Sequence, residues 1–304
     1  MQKNIAYLYI LLGATLWGMI GIFVTFLYKA GFTPTQVVAI RALSACFFLL
    51  FFVLIKNREM LKIKVADSKY FIGTGIVSIV FFNWCLFNSI EETSISIASI
   101  LLYTAPAFVT ILSRIVFKEL LTFRKVLALL LTFLGCMLVI GLYPSSSQAI
   151  SVYGLILGIG SGLFYAMYSI FGKLALKKYK SLTVTVYTFI FASVGILPFS
   201  QLWNVLDLFQ HVNVWFYIIG LGFLSTVLAY TFYTRGLETV ESSRASILAT
   251  VEPVVASLMG FLFFQEKLSG WQYIGIILVI IAVIVVQERR SGDTLRPSLT
   301  KQAL

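Results

Sequence analysis

Glu252 and Pro253 stand side by side inside an apolar run, and no other pair in the chain carries as much chemistry. A carboxylate so placed can take up and release a proton or pair with a cation. The proline removes a backbone N–H beside it and loosens any helix there. Arg41, flanked by Val37-Val38-Ala39-Ile40 and Ala42-Leu43, is a second charge of this kind. A guanidinium there must find a carboxylate, a carbonyl or water. It would either hold the carboxylate of a bound solute or tie its helix to a neighbouring helix end. Trp17, Asn83, Tyr103, Tyr165, Tyr168 and Tyr230 are the aromatic and amide side chains best placed to line a solute cavity with them. Phe82, Trp84 and Tyr233 are further lining candidates, and Ser161 and Ser169 share the polar stripe of Tyr165 and Tyr168. Catalytic constellations are missing. One histidine, His211, and three cysteines, Cys46, Cys85 and Cys136, all in apolar runs, suit neither a metal cluster nor a disulfide framework. No HExxH, GxSxG or Gly-rich phosphate loop occurs. We therefore expect no catalytic residues, no metal and no cofactor.

The elements that carry these residues follow from composition. The 304 residues are 60% hydrophobic and 12% charged, against about 25% charged in an ordinary soluble chain. A membrane-crossing helix needs roughly 20 mostly apolar residues. Ten such runs are present, at 5–27, 36–55, 70–90, 94–117, 124–142, 152–176, 182–202, 214–234, 245–264 and 270–286. They are continuous rather than alternating, which excludes a β-barrel. The first run is too long for a signal-peptide core and reads as a retained span. Turn signals separate the runs, among them Gly31-Phe32-Thr33-Pro34 and Pro144-Ser145-Ser146-Ser147. With its start near Ala245, the ninth span places Glu252 about 10 Å from that helix end.

Charge sets the orientation. The net charge of +11 would suggest a nucleic-acid partner in a soluble protein. With both termini cytoplasmic, nineteen of the 23 Lys and Arg fall in inner segments and only Lys29 and Lys267 in outer ones. The excess therefore reads as an orientation signal, and the bilayer replaces nucleic acid as the expected partner. Arg114 and Lys173, near inner span ends, are expected to snorkel.

The chain also repeats itself. Setting Ala98-Ser99-Ile100-Leu101 on Ala245-Ser246-Ile247-Leu248 aligns, without a gap, Gly73 with Gly220 and Gly75 with Gly222. The same register aligns Ser78 with Ser225, Glu91 with Glu238, Pro106 with Pro253 and Glu119 with Glu266. The chain thus divides into residues 1–142, residues 152–287 and a cytoplasmic tail, 288–304. Five spans per half is an odd number, so the second half enters the membrane from the opposite side. The expected fold is all-α and integral to the membrane: ten transmembrane helices in two inverted five-helix repeats, with a site near midplane between them. Pro106 and Pro253 are the expected hinges. Gly158 and Gly162, spaced by four, permit close helix approach, for permanent packing or for sliding. Glu119 and Glu266 would either gate opposite faces or fix tight helix–helix turns, and the second reading is preferred. Position 252 aligns with Ala105. That asymmetry favours a functional acid over a partner for the proline kink, which both halves would need.

Leu16-Trp17-Gly18, Arg41-Ala42, Pro106 and Lys118-Glu119-Leu120 in the first half form a recognisable set. Tyr165-Ala166-Met167-Tyr168, Glu252-Pro253-Val254-Val255 and Gln265-Glu266-Lys267-Leu268 extend it through the second. In these the chain resembles the EamA type of the drug/metabolite transporter superfamily. The resemblance implies a cell-membrane secondary transporter that moves a small solute, an amino acid, another metabolite or a drug, often outward. It also implies an arginine at position 41 whatever the cargo, which favours a structural role for Arg41. Aromatic lining with few charges suits a neutral or zwitterionic solute, with proton coupling through Glu252 as an option. A channel, or a membrane-embedded enzyme or sensor, is the alternative.

Overall fold

The computed structural model describes residues 3–141 and 151–287. The turn at Pro144–Ser147 and the tail from residue 288 lie outside the described residues. Ten helices are long and apolar enough to cross a membrane: α1 (Asn4–Lys29), α2 (Pro34–Lys56), α3 (Val65–Glu92), α4 (Ile95–Phe117), α5 (Phe123–Ile140), α6 (Val152–Leu176), α7 (Ser181–Ser200), α8 (Val212–Leu237), α9 (Ser242–Phe264) and α10 (Gly270–Gln287). Their starts obey local chemistry. Thr33 and Gln36 form a capping box before Pro34, and Ser94, Thr122 and Ser151 each accept a backbone N–H at the first turn of α4, α5 and α6.

Several helices are interrupted, and the interruptions recur between the halves. α4 breaks between Leu102 and Ala105 and α9 at Thr250, each just before its proline. α1 is bent at Met19, directly after Trp17-Gly18. α3 and α8 each contain a stretch wound with i→i+5 hydrogen bonds, Gly73–Val80 and Gly220–Leu228. Such π-type winding is rare and is found mostly at functional sites. Sequence periodicity did not reveal it. The glycines that open these stretches meet matching rings: a Cβ on Gly73 would lie 2.3 Å from Phe171, and one on Gly220 2.2 Å from Phe23. The two contacts are counterparts in the inverted repeat.

The repeats interleave. α1 of the first half packs on α8 and α9 of the second, while α6 of the second packs on α3 and α4 of the first. α2 lies against α7, and α5 against α10. In the last pair a Cβ on Gly135 would fall 3.0 Å from Gly275 O, and one on Gly275 2.7 Å from Gly135 O, so the two backbones touch. Gly158 and Gly162 serve the same purpose on α6. Side chains there would reach within 2.4 Å of Leu101 and 2.5 Å of Thr104, at the break in α4.

The connectors on one face, at 57–67, 118–122, 177–180 and 238–241, carry seven Lys and Arg, against Lys267 alone in the described connectors of the other face. Lys173 donates to Leu237 O at 2.5 Å and Val240 O at 2.9 Å. It therefore caps the carbonyls that end α8 rather than snorkelling outward. The buried Asp67 accepts from Lys178 Nζ at 2.5 Å and from Tyr179 Oη at 2.7 Å. That hydrogen bond holds the Lys178 ammonium above its usual range against the opposing effect of desolvation. Because α9 starts at Ser242 rather than near Ala245, Glu252 lies about 15 Å along it, deeper than expected.

Candidate solute cavity

α1, α3, α6 and α8 converge on a small cavity lined by Trp17, Ser78, Phe82, Tyr165, Tyr168, Ser169, Tyr230 and Tyr233. Each lining group arrives for a local reason. Trp17 is turned inward at the bend of α1, with its ring 4.9 Å from those of Tyr230 and Tyr233. Gly18, next to it, lets α1 touch α9: a Cβ there would lie 2.7 Å from Glu252 O and 2.6 Å from Val255. Ser78 comes from the π-wound stretch of α3. Tyr165, Tyr168 and Ser169 share one face of α6, as i, i+3 and i+4 positions must.

Hydrogen bonds fix the tyrosines. Tyr168 Oη and Thr234 Oγ1 are 2.5 Å apart, and Ser169 Oγ and Tyr233 Oη 2.7 Å. Tyr165 Oη donates to Glu252 Oε2 at 3.2 Å. Glu252 is half-buried, and Tyr165 links it to the cavity from the start of the second segment of α9. The Trp17 indole N–H is buried and has no acceptor among the described residues. A buried unsatisfied donor carries a desolvation penalty of about 1–3 kcal/mol, and this one belongs to a residue of the cavity wall.

Arg41 stands behind Tyr230. Its guanidinium lies 5.7 Å from the ring centroid, and its Nε donates to Thr226 Oγ1 at 3.0 Å. Thr226 in turn donates to Leu221 O, five residues back, in the π-wound stretch of α8. Among the described residues Arg41 forms no ion pair with a carboxylate. It ties α2 to α8 and packs behind Tyr230.

Of the residues singled out from sequence, Trp17, Tyr165, Tyr168 and Tyr230 line the cavity, and Glu252 and Arg41 border it. Phe82, Ser169 and Tyr233 join the wall as well. Three expected residues lie elsewhere. Asn83 donates to Ile79 O of its own helix at 2.7 Å and is not part of the cavity wall. Tyr103 packs at the α4 break against Cys136, Val139, Val254 and Val279. Trp84 is 52% exposed on the outer surface of the bundle. Sequence reasoning missed Ser78, Thr226 and Thr234. Ser78 carried a signal, its alignment with Ser225, but the winding that aims it was not legible.

A ten-helix bundle of two inverted repeats, closed around an aromatic cavity and bordered by one acid and one arginine, has the architecture of a membrane transporter. The chain matches the model of the EamA-like transporter family over residues 4–141 and 152–287, and it belongs to that family. An uncharacterized transporter of Archaeoglobus fulgidus is 30% identical over 92% of this chain and 97% of its own length. The uncharacterized transporter YxxF of Bacillus subtilis is 27% identical over 96% of this chain and 92% of its own. A crystal structure with 16% sequence identity matches at a TM-score of 0.77, covering 93% of this chain and 96% of that one. It supports the fold.

Proposed function

We propose that this protein is a secondary transporter that moves a small neutral or zwitterionic solute, an amino acid or a compound of similar size, out of the cell by alternating access. The observation that carries the proposal is the placement of the cavity. Its walls come from both repeats, at the bend of α1 and beside the break of α9, so moving one repeat against the other would change its exposure. The lining offers aromatic faces, hydroxyls and the unpartnered Trp17 N–H, groups that hold a compact solute with an acceptor oxygen. Glu252, joined to the wall through Tyr165, is the candidate proton carrier. The channel reading is weaker, because helices broken before matched prolines suit rocking better than a fixed pore.

Comparing metabolites inside and outside cells with and without the gene tests the cargo: a solute accumulating outside on overexpression supports export, and accumulation inside overturns it. With that solute in proteoliposomes, wild-type flux should saturate. Glu252→Gln should abolish the part driven by a pH gradient while leaving exchange of solute for solute. Undiminished gradient-driven flux in Glu252→Gln rules out proton coupling at this residue.

A further inference from the structure

Lys118 and Gln265 end α4 and α9 in the same left-handed backbone conformation, with φ of 57° and 56°. The next residues, Glu119 and Glu266, donate their N–H groups to Ser113 O at 3.4 Å and Gly260 O at 3.3 Å. The two helix ends are backbone copies on opposite faces of the bundle and carry the same acid. Their carboxylates behave differently.

Glu119, on the basic face, reaches across to the second repeat and caps the start of α9. It accepts the Ser242 N–H at 2.8 Å, the Ser243 N–H at 3.2 Å and the Ser243 hydroxyl. Lys125 Nζ, almost fully buried, stands 3.7 Å from Glu119 and 3.1 Å from Glu241. Arg244 bonds Glu241 at 2.6 Å and Val286 O at 3.1 Å. A carboxylate of the first half thus pins α9 of the second, the Lys125 ion pairs extend the clasp to α5, and the Arg244 hydrogen bond extends it to α10.

Glu266 is exposed, and its carboxylate makes no hydrogen bond or ion pair among the described residues. It lies over Gly260, where an added Cβ would come within 2.4 Å of Oε2. The repeat equivalents of Ser242 and Ser243 are Ile95 and Ser96, the first residues of α4. Ser96 keeps the hydroxyl, and neither its N–H nor that of Ile95 has an acceptor among the described residues. The charged reinforcement is not repeated: Gln272 stands for Lys125, Ser94 for Glu241 and Ile97 for Arg244.

We infer that Glu119 and Glu266 are reciprocal latches, one closing the basic face by capping α9 and the other closing the opposite face by capping α4, never both at once. The inference rests on the alternating-access reading and names the contacts that exchange. Charge-assisted bonds are about twice as strong as neutral ones, and only the basic-face latch has ion-pair support. The resting protein is therefore closed on the basic face, with the Glu119 latch engaged as it is here.

Hydrogen exchange on the full chain in lipid nanodiscs tests this. In the wild type, amides at 242–246 exchange slowly and those at 93–98 quickly. Glu119→Gln should speed 242–246 by about tenfold, equivalent to ~1.4 kcal/mol, and should slow 93–98 on the far face. A carboxylate that only caps its neighbour would speed 242–246 and leave 93–98 untouched, which overturns the latch. Should Glu119→Gln fail to fold, Glu266→Gln, an exposed change, reads the same equilibrium in reverse. It should slow 242–246 and speed 93–98, and no change at either site overturns the proposal. Saturable solute flux with unmoved exchange sinks the latch and leaves transport standing. Reciprocal exchange without flux of any solute supports the latch and sinks the transport reading.

Discussion

Arg41 illustrates what a single buried charge does in this protein. Its position in an apolar span allowed either a solute-binding or a tethering role, and its bond to Thr226 Oγ1 and its place behind the Tyr230 ring supply the tether. Replacing Thr226 by valine keeps the shape of the side chain and removes both the acceptor for Arg41 and the donor to Leu221 O. We expect Thr226→Val to cost about 1–3 kcal/mol, the usual penalty for stranding a buried polar group, read as a lowered Tm in detergent. The lining from α6 was legible residue by residue because Tyr165, Tyr168 and Ser169, at i, i+3 and i+4, must share a face. Asn83 stays out of the cavity wall for an equally local reason. An asparagine in a helix can satisfy itself on the carbonyl four residues back, and no sequence pattern distinguishes that from a cavity contact.

At the scale of elements, small residues decide which helices can touch. Gly75 sits on α7 with Thr188 O only 2.5 Å and Ala192 N 2.8 Å from where a Cβ would be. Backbone atoms cannot rotate away, so Gly75→Ala should destabilise by about 1–3 kcal/mol through overpacking. Gly172 is a control: its Cβ would meet Leu237 at an ordinary 3.6 Å. Gly172→Ala should leave Tm unchanged or raise it slightly, since alanine is the better helix former. Thermal unfolding of the two variants side by side checks both. The connector before α9 adds a pH dependence. Burial raises the pKa of Glu241, but its bonds to Arg244 and Lys125 outweigh this and hold the carboxyl below its ordinary value. Its contribution to stability is therefore complete at neutral pH and is lost as pH falls through the carboxylate range. The loss is modest, because the side chain is 41% exposed and solvent screens the pairs. The glycine pattern showed that helices approach closely but not which ones. The π-wound stretches of α3 and α8 left no periodic trace, since one added residue per turn changes facing without changing composition.

For the whole molecule, charge distribution predicts the orientation. The face bearing the connectors at 57–67, 118–122, 177–180 and 238–241 should be cytoplasmic. A cysteine placed at the exposed Leu121 should resist an impermeant maleimide applied to intact cells and react after permeabilisation. One placed at the exposed Lys267 should react in intact cells, and the opposite pattern would invert the topology. Interleaving also bears on how the repeats work. α1 and α6 each pack mainly against helices of the other half, so under the proposed alternating access a motion that opened one face would carry helices from both repeats.

The sequence by itself determined a ten-span membrane protein, its inverted repeat and its family, because these rest on counts of apolar residues and on one register that holds without a gap. It also pointed to Glu252, Trp17 and the tyrosines, since a charge or a cluster of polar rings in an apolar run must face inward. Only the tertiary structure decided which of them meet. Whether Tyr165 reaches Glu252, Arg41 finds a hydroxyl rather than an acid, or Glu119 caps a helix of the other half depends on residues scores of positions apart. Those approaches are set by helix breaks, π-type winding and backbone contact at glycine, and spacing along the chain does not encode them.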